Sequence, residues 1–341
     1  MSARPPVLQV RDLAVHFRVD IGHLFRRDYH QVRAVDNVSF DVHAAETLGI
    51  VGESGCGKST LARAILGLVR PQGGSIRWEG EDLVGLSEAE WRLKRRQIQL
   101  IFQDPAGSLD PRMTVGEIVA EPLRVFYPSM SGLQVRERVS GMLKMVGLSP
   151  EQINRYPHEF SGGQCQRIGI ARALVVNPRL VVCDEPVSAL DVSIQAQIVN
   201  LLKDLQRKLR LSLIFIAHDL SVVRHVSDRV LVMYLGRVME VADRDSIYLN
   251  PRHPYTRALI ESVPIPDPVL ERARARRSLQ GDIPSPLDPP TGCVFRTRCP
   301  FAIEACANQV PALETLESGN QVACIRHREI EGQSIPESPP A

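Results

Sequence analysis

The chain has 341 residues, 44% of them hydrophobic and 23% charged, and carries a formal net charge of +2. That suits a soluble globular protein of one large domain with an appendage, or two modest domains, and gives no reason to expect nucleic acid, whose partners more often present a strongly basic face. No apolar run approaches the roughly 20 residues needed to span a bilayer, and Met1 to Val10 lacks the basic-then-apolar order of a secretory signal, so the chain is expected in the cytoplasm, reaching any membrane through a partner.

Residues 7–17 alternate well enough to predict a strand, and the polar, basic stretch from Arg18 to Arg33 reads as a loop. Residues 34–51 suggest two more strands, the second ending in Leu48-Gly49-Ile50-Val51 and running straight into a glycine-rich segment. A helical pattern follows from Lys58 to Val69, then a turn at Gly73-Gly74, a short strand from Ser75 to Glu79, and another over 98–102. From Pro105 to Gln164 the pattern is mainly helical, with loops at Pro128 and Pro150. Leu180 to Cys183 and Leu213 to Ala217 are apolar runs of the kind buried in a parallel sheet. Strands alternating with helices predict an α/β fold with a largely parallel sheet, and no internal repeat is present. The composition shifts near residue 250. Residues 264–290 are proline-rich, carry a basic run from Arg272 to Arg277, and read as a linker or irregular strap. The tail, 331–341, is expected to be disordered.

Residues 52–59 read Gly-Glu-Ser-Gly-Cys-Gly-Lys-Ser, the pattern of a phosphate-binding P-loop, between an apolar strand and a helix. Glycines at 52, 55 and 57 allow turns that a Cβ would oppose, so that backbone N–H groups converge on phosphate oxygens at a helix N-terminus. Lys58 supplies a point charge to the β- and γ-phosphates, and the Ser59 hydroxyl suits Mg²⁺. The strand Leu180-Val181-Val182-Cys183 ends in Asp184-Glu185. Asp184 suits the Mg²⁺ shell, and Glu185, one residue on, suits orienting and polarising an attacking water. Alone, such a pair is more often an ordinary helix N-cap; the upstream P-loop reverses that balance.

Ser161-Gly162-Gly163-Gln164, at the start of a helix and about 20 residues before Asp184, offers a second anion site of hydroxyl and backbone N–H groups. It resembles the signature motif of ABC ATPases, although the usual form begins with leucine. Further motifs of that family occur in order: Gln103 matches the Q-loop glutamine that reaches Mg²⁺ and the attacking water, Ser188-Ala189-Leu190-Asp191 the D-loop, and His218 the switch histidine. Phe17 falls where the family places an aromatic on adenine. The resemblance covers roughly residues 7–250. It implies a P-loop, ABC-type nucleotide-binding domain with a mixed, largely parallel sheet, an antiparallel β subdomain and a helical subdomain at about 105–165. It also implies that ATP and Mg²⁺ sit around Gly52, Glu53, Ser54, Gly55, Cys56, Gly57, Lys58, Ser59 and Thr60. In that family two ATP molecules lie between two subunits, each P-loop facing the other subunit's signature loop.

Residues 103–122, from Gln103-Asp104-Pro105 to Ala120-Glu121-Pro122, resemble the segment of oligopeptide, dipeptide and nickel importers that borders the groove for the permease's coupling helix. The 18–33 stretch resembles the longer form of one of two paired ATPases there, which implies a heterodimer. Residues from Asn250-Pro251-Arg252-His253-Pro254-Tyr255-Thr256 to Gly281-Asp282-Ile283-Pro284-Ser285-Pro286 resemble the same family's C-terminal extension, giving a unit over 251–330. The resemblance implies an ATPase on the cytoplasmic face of a bacterial inner membrane, working with two permease subunits and, indirectly, an external solute-binding protein. Dipeptides or oligopeptides are the leading solutes, with nickel, glutathione or another small solute as alternatives. A soluble ABC ATPase of DNA repair or translation is a distant one, since such chains usually carry two ATPase halves or a long coiled-coil or zinc insertion.

Four of the seven cysteines, Cys293, Cys299, Cys306 and Cys324, lie in the extension with spacing C-x5-C-x6-C-x17-C. In a reducing compartment they read as thiols or metal ligands, but no C-x2-C marks a zinc finger or a common ferredoxin run. Spacing leaves an iron–sulfur cluster, zinc and free thiols open. The family resemblance implies a [4Fe–4S] cluster at these positions. His327, nearby, is a candidate extra ligand but reads rather as a surface residue, and Cys56, Cys165 and Cys183 read as small packing residues.

Overall fold

The computed structural model describes residues 6–20, 29–263 and 281–333. The chain opens with two long antiparallel strands, β1 (Pro6–Asp20) and β2 (Tyr29–His43). They run on as a ribbon to the pair Asp20 and Tyr29, so much of the loop expected over 18–33 is strand. The polar sequence hid it because both faces of that ribbon end are largely exposed, which removes the alternation that marks a half-buried strand. The remainder of that loop, 21–28, lies outside the described residues.

β3 (Thr47–Val51) follows, then α1 (Lys58–Ile65), β4 (Gly73–Trp78) and β5 (Glu81–Asp82). The helix stops at Ile65, short of Val69, because Gly67 takes a positive φ of 65° and ends the turn. The expected turn at Gly73-Gly74 is the first part of β4. α2 (Glu88–Arg95) and β6 (Ile98–Ile101) lead to the helices α3 (Val115–Phe126), α4 (Gly132–Met145) and α5 (Gly162–Leu174). Each of these three helices starts in a reciprocal capping box, Thr114 with Glu117, Ser131 with Gln134, and Ser161 with Gln164.

β7 (Leu180–Asp184), α6 (Val192–Leu209), β8 (Ser212–Ile216), α7 (Leu220–Val226), β9 (Arg229–Tyr234) and β10 (Arg237–Asp243) complete the central layer. β3, β7 and β8 are buried at every residue, which is why their sequences run apolar instead of alternating. With two short strands from near the C-terminus, β11 (Glu314–Thr315) and β12 (Gln321–Val322), the main sheet has the order β11-β12-β10-β9-β3-β8-β7-β6. Its strands from β9 to β6 are parallel, and the other end is antiparallel. The smaller sheet, β2-β1-β4-β5, is antiparallel. One apolar core joins the main sheet to the helices over 115–174, and a second joins it to α1 and the small sheet.

The chain continues through α8 (Arg244–Leu249) into the extension, which begins with α9 (Pro254–Ser262) and whose short strands β11 and β12 join the main sheet beside β10. Glu240 of β10 is buried and accepts the backbone N–H groups of Arg252 and His253 at 2.8 and 2.9 Å. The extension is thus hydrogen-bonded into the same layer as the parallel strands. Of the stretch expected as a linker, 264–280 lies outside the described residues, as does 334–341 of the expected disordered tail.

Candidate functional site

The parallel strands bring their C-terminal ends to one edge, where open α/β sheets hold ligands. β3 ends at Val51 and the loop 52–57 leads into α1. Gly57 caps that helix with φ 103°, and a Cβ there would sit 1.9 Å from the Ala34 carbonyl oxygen. Gly52 is as constrained, since its Cβ would meet the Met233 carbonyl oxygen at 2.2 Å. Glycine lets two strands hold the loop closely from outside.

Lys58 is buried and folded back on the loop, donating to the carbonyls of Gly52 at 2.8 Å and Glu53 at 3.0 Å. Ser59 Oγ donates to Asp184 Oδ1 at 2.9 Å. Burial pushes the Asp184 carboxyl above the usual carboxylate range, against the opposing hydrogen bond from Ser59. Burial also raises the Cys56 thiol, in spite of neighbouring Lys58, so Cys56 stays a neutral packing group. Gln103, just past β6, donates from Nε2 to Glu185 Oε2 at 2.9 Å, and His218 Nδ1 stands 3.7 Å from the same oxygen. Glu185 adopts φ 46°, a left-handed conformation that is strained for a residue with a side chain, and its N–H donates to the Ile216 carbonyl at 3.0 Å. The backbone turn after β7 therefore aims Glu185 away from the strand and toward Gln103 and His218.

A cleft of about 280 Å³ opens here, lined by Ser54, Gly55, Gly57, Lys58, Ser59, Thr60, Gln103 and Glu185, while Gly52, Glu53, Cys56, Asp184 and His218 stand outside its lining. The rest of the lining is Val32 to Ala34, Leu235, Gly236 and, from the extension, Pro286. Phe17 is 40% exposed and pairs across the ribbon with Val32, which puts it beside the cleft without lining it. Ser161 to Gln164 and Asp191 do not line it either. Ser161 and Gly162 are exposed at the start of α5, where Ser161 Oγ accepts the Gln164 N–H. Asp191 caps α6 by accepting the Ile194 N–H at 3.0 Å, and a Cβ on Gly163 would lie 2.5 Å from Ile194. A Cβ on Gly162 would lie 3.5 Å from Leu190, so the segments 161–164 and 188–194 pack on one another.

Sequence reasoning passed over Tyr255 and Arg298, which reach the phosphate loop from the extension, and Pro286, which lines the cleft from there. Tyr255 stood in a quoted motif and Arg298 stands beside Cys299, but neither position carries a local signal of contact with a loop some 200 residues earlier. His327, expected on the surface, is buried at 6% exposure with its Nδ1 against the Cys324 carbonyl at 2.9 Å. A lone polar residue in an irregular segment has no periodicity to betray its burial.

Cys293, Cys299, Cys306 and Cys324 line one small cavity together with His253, Phe295 and Phe301. Burial raises the Cys293 thiol, and pushes Cys299 up to about 12 and Cys324 to about 11. Among the described residues no group of three or more His, Cys, Asp or Glu side chains is spaced to hold a metal ion. No helix among them is long and apolar enough to cross a membrane.

A phosphate loop opening a helix, a carboxylate pair at the end of the neighbouring strand and an exposed Ser-Gly-Gly cap define an ABC-type ATPase. Residues 35–188 match the ABC transporter family and residues 239–306 the oligopeptide/dipeptide transporter C-terminal region. Among curated proteins, the chain is 59% identical to the oligopeptide transport ATP-binding protein OppF of Escherichia coli, covering 95% of this chain and 97% of that one. It is 60% identical to the protein of the same name from Salmonella typhimurium, covering 96% and 98%. Among solved structures it resembles a dimeric ATP-binding cassette in a post-hydrolysis state bound to ADP and Pi. There the TM-score is 0.62 and the identity 29%, over 70% of this chain and 98% of that one. The chain belongs to the ABC transporter ATP-binding family, in its oligopeptide/dipeptide transport branch.

Proposed function

We propose that this chain is one ATP-hydrolysing half of the motor of a bacterial peptide importer, at the cytoplasmic face of the inner membrane. The observation that carries this reading is the union in one chain of an intact nucleotide site with an extension matching the oligopeptide/dipeptide transporter C-terminal region. Residues 7–250 form the nucleotide-binding domain in this reading, with its helical subdomain at about 105–165, and 251–330 the extension.

In the reaction Lys58 leaves the carbonyls of Gly52 and Glu53 for the β- and γ-phosphates, which the N–H groups at the start of α1 also hold. The oxygen donors Ser59 and Asp184, already hydrogen-bonded to each other, suit a hard cation, and Gln103 adds a third oxygen. Bound there, Mg²⁺ neutralises charge on the phosphate oxygens. Glu185 orients a water in line with the γ-phosphorus. The water oxygen bonds to phosphorus as the bond to the β-γ bridging oxygen breaks; ADP leaves, and the water's proton passes to the carboxylate. Gln103 holds the Glu185 carboxylate, and His218 sits to reach the γ-phosphate. Phe17 flanks the adenine. Ser161 to Gln164, with Asp191 behind them, serve the nucleotide on the other subunit, which we take to be a different chain. A groove of about 310 Å³ beside α3 and α4, lined by Glu117, Ala120, Arg124 and Val135 among others, receives one of two permease subunits. An external binding protein selects the solute.

Uptake of a labelled tripeptide is the test. In cells lacking this chain it is expected to fall to background and to return with the wild type but not with Glu185→Gln. Loss of nickel or glutathione uptake with peptide uptake intact would sink the peptide reading.

Cys293, Cys299, Cys306 and Cys324 are proposed to hold a [4Fe–4S] cluster. Four thiols around one cavity are the donor set such a cluster takes. Protein purified without oxygen is expected to carry about four irons per chain, lost in Cys293→Ser and Cys306→Ser. Stoichiometric zinc, or no metal, overturns this.

A further inference from the structure

Side chains from the cysteine-bearing extension hold the phosphate loop at Glu53. Arg298 directly precedes Cys299 in the loop that starts at Cys293. Its guanidinium donates to the Glu53 carboxylate through both terminal nitrogens, Nη1 to Oε2 at 2.7 Å and Nη2 to Oε1 at 3.0 Å. The pair is enclosed, with the Arg298 side chain 5% exposed and that of Glu53 20%. Tyr255 of α9 accepts the Glu53 N–H at 3.0 Å through its hydroxyl. Lys58 donates to the Glu53 carbonyl. Glu53 is thus gripped at carboxylate, amide and carbonyl, twice by the extension and once by the lysine that must turn to the nucleotide.

The contacts continue to the cysteines. The rings of Tyr234, Tyr255 and Phe295 pack with centroids 4.8 to 5.4 Å apart. Phe295, fully buried, also lines the cysteine cavity. A buried fork-to-fork ion pair adds little net stability over an apolar one, but it fixes geometry. This pair ends on the loop whose peptide planes aim N–H groups at phosphate. Without Arg298, an unpaired carboxylate would stand beside a triphosphate.

We infer that Arg298 is a positioning residue for the nucleotide: by clamping Glu53 it fixes the phosphate loop and neutralises the carboxylate beside it. The affinity for Mg·ATP thereby depends on the conformation of the Cys293–Cys299 loop. The inference rests on the nucleotide-site reading of Gly52 to Ser59. Linkage makes the effect reciprocal, so bound nucleotide steadies the cysteine loop by the same factor.

The test is a titration of the full chain with a fluorescent ATP analogue and Mg²⁺, on the wild type, Arg298→Met, Glu53→Gln and the double variant. Methionine keeps an unbranched apolar side chain and removes the fork, together with its hydrogen bond to the Tyr234 hydroxyl at 3.4 Å. Each single change is expected to weaken binding by about tenfold, and the double change also by about tenfold, because the two partners act as one unit. Amide exchange over 293–299 is expected to slow with Mg·ATP in the wild type and not in Arg298→Met, a response that a merely bracing role would not lose. Should Arg298→Met fail to fold, Arg298→Lys keeps the charge without the fork and is expected to weaken binding by about threefold. Either single variant (Arg298→Lys standing in for an unfolded Arg298→Met) binding within about twofold of the wild type, or a double loss near the product of the single losses, overturns the inference. Lys58→Ala binding as tightly as the wild type would instead strike the nucleotide-site reading, and the inference with it.

Discussion

Glu185→Gln is expected to lower ATP turnover by about 10²–10⁴-fold while leaving ATP binding intact, the range that a positioned general base contributes. The exchange removes one negative charge and almost no volume. Gln103 still finds an oxygen to donate to, because the new amide can present its carbonyl where Oε2 stood, 2.9 Å from Gln103 Nε2. The left-handed backbone at 185, held by the Ile216 carbonyl, is as costly for glutamine as for glutamate, so the turn persists. What is lost is the acceptor for the water's proton. With hydrolysis stalled, ATP is expected to accumulate between two subunits, so the variant elutes as a nucleotide-bound dimer with its partner while the wild type does not. Turnover at the wild-type rate would remove Glu185 from the reaction and leave His218, 3.7 Å away, as the next group to change.

The parts of the site that were legible in the sequence are those where the backbone does the chemistry. A loop that wraps phosphate needs glycines at fixed offsets, and the strand before it and helix after it are local patterns; residues 52–59 therefore announced themselves. Asp184 and Glu185 were legible only because the upstream P-loop outweighs the ordinary reading of such a pair as a helix N-cap. The signature loop was legible as a motif, and its structural role as a capping box on α5 follows from the same serine and glutamine. Contacts between distant segments were not legible. The Arg298–Glu53 pair joins residues 245 apart, and nothing at either end encodes the other. The ribbon ends at Asp20 and Tyr29 were missed because a strand exposed on both faces loses its alternation. His327 was misread because the extension is mostly irregular, and burial there is set by tertiary packing, which local pattern does not register.

Gly57→Ala is expected to abolish nucleotide binding, with a loss of at least about 100-fold in affinity, whereas Gly55→Ala in the same loop costs less than about tenfold. Both glycines have positive φ, 103° at Gly57 and 77° at Gly55, so both substitutions carry backbone strain of about 1–2 kcal/mol. They differ in what surrounds them. A Cβ at Gly55 meets nothing within 4 Å, so strain is the whole cost there. A Cβ at Gly57 meets the Ala34 carbonyl oxygen at 1.9 Å, with the Gly236 Cα at 3.6 Å behind it. Neither neighbour can turn aside: Ala34 belongs to β2, and Gly236 is hydrogen-bonded to both the phosphate loop and the β2 strand, through the Cys56 carbonyl and the Asp36 N–H. The loop itself must therefore shift by an ångström or so, and Gly57 caps α1, whose first N–H groups are the ones proposed to hold phosphate. A hydrogen bond weakens steeply over such a displacement, and several fail together. Calorimetric titration of each variant with Mg·ATP, beside its thermal midpoint, separates the two costs: both variants keep a folded core, and only Gly57→Ala loses the heat of binding. Equal losses at the two positions would mean that strain alone governs the loop, and that the close approach of β2 has no part in shaping the phosphate site.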